Sequence, residues 1–253
     1  MKLLEVCVDS LASARAAIRG GADRLELCSA LVAGGLTPYV HLVEQIRKES
    51  NIPIRCLMRP RPGDFLYTPE EIDLMVRQIP VLRASGADGF VIGCLKADGT
   101  LDEDAMARLI DAADGAPLTL HRCIDVSRDP QETYRAAGKL GMDTVLTSGA
   151  AAGCMGGLDV IEQLLELRDQ ENGPEVLIGA GVKAPVIRAI RLKLPQACAF
   201  HASCKTELPS AMAFRREGVP MGLPGLDEWH IQQTDEHAVR DAVAALHAPI
   251  CKN

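Results

Sequence analysis

Short apolar runs with β character alternate with longer stretches of helical periodicity along the whole chain. The runs lie at Leu3–Val8, Arg24–Cys28, Ile54–Met58, Gly89–Gly93, Leu118–His121, Thr144–Thr147, Val176–Gly179 and Ala199–Ala202. Their starts run from position 3 to position 199, 28 residues apart on average. Strands that alternate with helices imply parallel βαβ units. Eight such units in this length predict an α/β fold, a single-domain (β/α)8 or TIM barrel over residues 1–253. Helix signals fall where the barrel needs them. Ser10 precedes Leu11, Ala14 and Ile18, and Gly20-Gly21 stop that helix. Thr68-Pro69 read as N-cap and first turn before Ile72, Met75, Ile79 and Leu82, with Pro80 expected to kink or shorten the helix. Asp129-Pro130 and Asp235 open two later helices. Residues 205–234 form a long connection after strand 8, with Pro209, Pro220 and Pro224 and no clear periodicity. A connection of that length is functional or mobile.

Strand side chains alternate between barrel interior and helix layer. Leu4, Val6 and Val8 suit the helix layer, which turns Glu5 and Cys7 inward; Leu25 and Leu27 turn Glu26 and Cys28 inward. Neighbouring strands thus carry the same Glu-x-Cys pair, and the two thiols are expected side by side. Strand 3 runs out into Arg59, with Arg61 and Asp64 beyond; strand 5 presents His121, with Cys123 and Asp125 after it; strand 8 presents His201 and Ser203. Charged groups almost never enter a barrel unpaired. Their convergence on the C-terminal face, where barrel active sites form, marks a site. Glu5, Glu26, His121, Asp125 and His201 are the acid–base candidates. Arg59 and Arg61, with Asp64 beside them, are the candidate anion clamp. Ser148-Gly149, Gly179, Gly181 and Ser203 follow the late strands, where small residues expose backbone N–H groups to an anion. Cys7 and Cys28 are the candidate metal ligands: paired thiolates suit Cu(I), and zinc would draw the histidines in as well. Cys56 reads as core, Cys154-Met155 as a loop, and Cys251 as tail.

Composition narrows the function classes. Aromatic residues are only 3% of the chain, so no stacking platform for bases is available. The net charge is −7 and the 27 Lys and Arg are scattered, which excludes a nucleic-acid or anionic-membrane footprint. No apolar run is long enough to span a bilayer, and Glu5 sits where a leader needs apolar residues. The expected location is cytoplasmic. None of the nine cysteines forms a C-x-x-C pair, so the expectation is free thiols in a reducing compartment.

The motifs together resemble the CutC copper homeostasis family over nearly the whole length. They are EVCVDS (Glu5–Ser10), GADRLELC (Gly21–Cys28), GGLTP (Gly34–Pro38), RPRPGDF (Arg59–Phe65), HRCID (His121–Asp125), LTSG (Leu146–Gly149), GAGV (Gly179–Val182), HAS (His201–Ser203) and M-x-F-R (Met212–Arg215). Pro62 departs from the family, which commonly has Gly there. The resemblance implies a (β/α)8 barrel that self-associates as a dimer or tetramer, and copper handling, with Cys7 and Cys28 matching cysteines proposed to bind Cu(I). The mouth's Glu, Arg, His and Asp residues leave a second reading open: an enzyme, of isomerase, aldolase or lyase type, acting on a small phosphorylated or anionic metabolite.

Overall fold

The computed structural model describes residues 2–216, 218–219, 221–222 and 227–250. Strands β1 (Leu3–Val8), β2 (Arg24–Leu27), β3 (Ile54–Leu57), β4 (Gly89–Ile92), β5 (Leu118–Leu120), β6 (Thr144–Thr147), β7 (Glu175–Ile178) and β8 (Ala199–Ala202) close into a parallel barrel in chain order. The helices between and after them are α1 (Leu11–Gly20), α2 (Val40–Glu49), α3 (Pro69–Ala84), α4 (Glu103–Ala113), α5 (Pro130–Lys139), α6 (Leu158–Glu171), α7 (Ala184–Lys193) and α8 (Glu236–His247). The TIM-barrel expectation holds.

Alternation builds the two layers. Leu4, Val6, Val8, Leu25, Leu27, Ile54, Phe90, Ile92 and Phe200 face outward and join the helices' apolar faces in one core. Each fully buried side chain of this size contributes roughly 1.5–3 kcal/mol. The helix ends follow their sequence signals. The Ser13 N–H donates to Ser10 Oγ at 3.2 Å, and Gly21 ends α1 in the left-handed region at φ 89°. Thr68 and Glu71 form a reciprocal capping box. Pro80, however, does not shorten α3, which continues to Ala84. Pro80 lies on the exposed face, where water can reach the carbonyl it leaves without a donor.

The barrel interior is not simply apolar. Leu3, Leu146, Leu177 and Ala199 form one small cluster, and Cys28, Leu57 and Val91 with Leu31 form another. A polar layer also crosses the interior. Arg24 Nε donates to Glu5 Oε2 at 2.6 Å, and Arg55 donates to Thr119, to Thr144 Oγ1 at 3.1 Å and to Asp143 Oδ1 at 2.5 Å.

The long connection after β8 contains structure the sequence did not signal. Strands β9 (Lys205–Pro209) and β10 (His230–Thr234) pair antiparallel as a ribbon. All five residues of β9 are exposed, so the ribbon needs no apolar alternation. The Thr234 N–H donates to Ser13 Oγ at 3.1 Å and anchors the ribbon on α1. Pro220, Pro224 and Cys251 lie outside the described residues. No helix among the described residues is long and apolar enough to cross a membrane.

Candidate functional site

A cleft of about 920 Å³ opens at the C-terminal ends of the barrel strands. Cys7, Glu26, Arg59, Phe65, His121, Asp125, Gly181, Lys183, His201, Ser203 and Cys204 line it. Glu5 lies just beneath, with no solvent exposure.

The register of β1 decides what meets at the centre. Glu5 pairs with Arg24 on β2 and with His201 on β8, whereas Cys7 pairs with Glu26. The two Glu-x-Cys segments are therefore offset by two residues. Cys7 and Cys28 are not at one level, which corrects the expectation of side-by-side thiols. Cys28 instead packs with Leu57 and Val91, and its thiol donates to the Val8 carbonyl at 3.5 Å. Burial, with Glu26 nearby, pushes that thiol far above its ordinary range, which disfavours the thiolate a metal needs.

The donors that do converge are Cys7 Sγ, a Glu26 carboxylate oxygen and a His201 ring nitrogen, all within 4.8 Å of one another. His201 Nδ1 hydrogen-bonds Glu5 Oε1 at 2.8 Å, and its Nε2 lies 3.9 Å from Glu26 Oε2. A buried carboxylate thus fixes the ring and aims Nε2 at Cys7 and Glu26, the arrangement in which a metal-ligating histidine is held. Burial would raise the Glu5 pKa, but Arg24 and the His201 hydrogen bond hold it at about 2. Burial pushes Glu26 the other way, to about 7, with Glu5 adding to the rise. His201 is raised well above its usual value because Cys7 and Glu26 outweigh the burial that opposes its charge.

A second group sits on the strand 3 and strand 5 side. The Arg59 guanidinium gives three hydrogen bonds, all to main-chain carbonyls: Nη1 to Ala33 at 3.2 Å and Gly35 at 3.1 Å, and Nη2 to Gly63 at 2.8 Å. Its Nε has no partner. His121 Nδ1 accepts from the Cys123 N–H at 3.1 Å, so the neutral ring carries its proton on Nε2, and that nitrogen too is buried without a partner. Burial, with Arg59 beside it, lowers the His121 pKa to about 3. Phe65 lies against both: its ring centroid is 4.6 Å from that of His121 and 5.3 Å from Arg59 Cζ. Gly93 permits the close approach of the imidazole; a Cβ there would stand 2.5 Å from His121 Cε1.

Other expected site residues take different places. Arg61 does not join Arg59: it turns back to Glu71 at 2.6 Å and Asp64 at 3.0 Å, a partly exposed cluster outside the cleft. The chain turns between them so that each arginine satisfies a separate set of loop carbonyls. Asp125 reaches the cleft, but its carboxylate is filled. It accepts from Arg122 at 2.7 Å, Thr147 at 2.5 Å, the Ser148 N–H at 2.9 Å and the Ala150 N–H at 3.1 Å. It organises the loop after β6. Ser148 is buried in that network, bonded to Asp125 at 2.9 Å and to the Ala151 carbonyl at 2.6 Å. Gly149 and Gly179 are absent from the lining: the first is wedged on Gly157 and the second on Leu146. Gly181 and Ser203 remain in it. Cys56 belongs to the core, as read. Cys154 is buried in a short 3-10 turn, Cys154–Gly156, away from the cleft lining. Sequence reading missed Arg24, Arg55 and Cys204. The first two obey the same alternation as Glu26 and could have been found by it. Cys204 follows β8 in a left-handed turn, φ 46°, which no pattern announces.

The fold and the site define a TIM barrel with a charged, thiol-bearing cleft at its strand C-termini. Residues 2–205 match the CutC family. A family protein CutC of Chromobacterium violaceum is 40% identical over 247 residues, 97% of this chain and 98% of that protein. The copper homeostasis protein cutC homolog of Mus musculus is 38% identical over 240 residues, 94% of this chain and 87% of that one. A crystal structure of a Streptococcus agalactiae protein described as copper homeostasis protein CutC superposes with TM-score 0.74 and 26% identity, covering 80% of this chain and 99% of that one. The chain belongs to the CutC family.

Proposed function

We propose that this protein serves copper homeostasis in the cytoplasm by taking Cu(I) as cargo at the barrel mouth, on Cys7 and His201, with Glu26 at the edge of the site. The observation that carries the reading is the convergence of Cys7, Glu26 and His201 within 4.8 Å, with Glu5 behind the imidazole. A thiolate and an imidazole are donors Cu(I) accepts, and the carboxylate behind the ring raises its basicity. Cys28 is not part of this set. The eight described cysteines are free, in keeping with a reducing compartment. Competition with a Cu(I) chelator tests the reading. The Cys7→Ser variant loses roughly tenfold or more in affinity, about 1.4 kcal/mol, while Cys28→Ser matches the parent protein. Equal affinities for Cys7→Ser and the parent would remove the site.

A second reading rests on the separation of two neighbouring carboxylates, Glu5 held at about 2 and Glu26 pushed to about 7. That separation is how an enzyme keeps one acid protonated near neutrality beside an ionised one. In this reading Glu26 and His201 perform acid–base steps on a small anionic metabolite. Native mass spectrometry of the protein purified without added metal separates the two. Retained copper supports the first; an organic ligand on metal-free protein supports the second.

A further inference from the structure

Among the described residues, Arg59 is the buried cation of the cleft with no acid to answer it. Arg24 is answered by Glu5, Arg55 by Asp143, Arg61 by Asp64 and Glu71, and Arg122 by Asp125. Among the described residues no carboxylate comes within 4.0 Å of the Arg59 guanidinium, although its residue is only 8% exposed. Main-chain carbonyls occupy three of its five N–H donors, which positions the guanidinium without neutralising it. Nε–H and one Nη2–H are left. His121, 4% exposed, offers one further N–H from Nε2, also without a partner. Both residues line the cleft, and Phe65 packs against both.

Buried donors left unmade are costly, and a buried charge more so. Such a group in a folded protein needs an explanation, and a ligand that supplies acceptors is the direct one. The charge selects its class. Arg59 brings one positive charge and His121, neutral, brings none, so a monoanion balances the site. The chemistry selects within that class: a guanidinium edge takes two coplanar oxygens.

We propose that Arg59 and His121 form a carboxylate-binding subsite, in which the Arg59 Nε–Nη2 edge holds the carboxylate of a small organic acid and His121 Nε2–H donates to one of its oxygens. The subsite does not rest on copper binding, because none of its groups belongs to the Cys7–Glu26–His201 set. The glycines after β6 and β7 play no part in it.

Calorimetry and thermal shift with acetate, pyruvate and succinate test this, with phosphate and sulfate as competing arms and acetamide as the uncharged control. The carboxylates raise the Tm of the protein and acetamide does not. Arg59→Lys keeps the charge but loses the two-toothed edge, and His121→Gln removes the ring donor. Each weakens the carboxylate by roughly ten- to hundredfold, the loss expected for hydrogen bonds to a charged group. Arg61→Ala binds as the parent does. Two variants guard against one that fails to fold, and a circular dichroism spectrum reports on each. Unchanged affinity in folded Arg59→Lys and His121→Gln would overturn the subsite. So would phosphate or sulfate binding without any carboxylate, or no stabilisation by any of the anions.

Discussion

His121 should make the protein acid-labile in a range where most carboxylates are still ionised. The residue is 4% exposed, and burial together with Arg59 lowers its pKa from the ordinary 6.5 to about 3. The unfolded chain binds a proton at this position below pH 6.5, and the native protein does not until about pH 3. The unfolded state therefore holds more protons across that interval. Stability linked to His121 is fully present above pH 6.5 and is lost as pH falls towards 3. At 1.36 kcal/mol per unit the whole shift is worth about 5 kcal/mol, and the part between pH 6.5 and pH 4 about 3 kcal/mol. Other groups titrate in the same interval, so the quantity to read is a difference. His121→Asn keeps an acceptor for the Cys123 N–H and abolishes the titration. Its lost contact with Phe65 costs a pH-independent amount, so at pH 7.5 the variant is the weaker protein. Urea unfolding followed by far-ultraviolet circular dichroism gives the free energy of both at pH 7.5, 6.5, 5 and 4. The gap should close by about 3 kcal/mol between pH 6.5 and pH 4. A gap that stays constant would mean that the native imidazole titrates like a free one, and the carboxylate subsite would lose its neutral Nε2–H donor.

Three further outcomes follow from the interior. Arg24→Met leaves the Glu5 carboxylate buried without the cation now 2.6 Å from it; chemical denaturation should show a loss of about 3–5 kcal/mol. Gly149→Ala must place a Cβ 2.1 Å from the Gly157 carbonyl oxygen at φ +73°, so Tm should fall by the equivalent of about 2 kcal/mol or more. Asp125→Asn removes the charge that holds the N–H groups of Ser148 and Ala150; hydrogen exchange at those two amides should quicken, with about 1.5–3 kcal/mol lost locally.

Much of this was legible because two periods govern a barrel. The spacing of apolar runs placed all eight strands, and the two-residue alternation put Glu5, Glu26 and His201 inside. Capping residues at Ser10, Thr68, Asp129 and Asp235 marked helix starts that the structure keeps. What escaped depends on where loops turn. Arg59 and Arg61 are two residues apart, yet a loop has no fixed alternation, and carbonyls at Ala33, Gly35 and Gly63 draw one guanidinium inward while Glu71 holds the other out. Asp125 was read as an acid–base candidate because composition cannot show the five donors that surround its carboxylate. The β9–β10 ribbon gave no signal, since an exposed ribbon needs no apolar face.

The offset of the two Glu-x-Cys segments shows what alternation alone cannot decide. A period of two fixes which face a side chain takes, but not its height along the barrel axis. Height is set by strand tilt and the stagger that closure demands. Between β1 and β2 that stagger sets Glu5 beside Arg24 and Cys7 beside Glu26. On the other side β8 sets His201 level with Glu5. The imidazole therefore spans two layers: Nδ1 is fixed by Glu5 below, and Nε2 reaches the layer of Cys7 and Glu26 above. Had the repeats aligned, the mouth would have held two thiols beside two acids. The stagger instead brings together one thiol, one imidazole and one protonatable acid, and buries the second thiol under Leu57 and Val91. The chemistry of this cleft is thus a consequence of barrel closure acting on two similar strands.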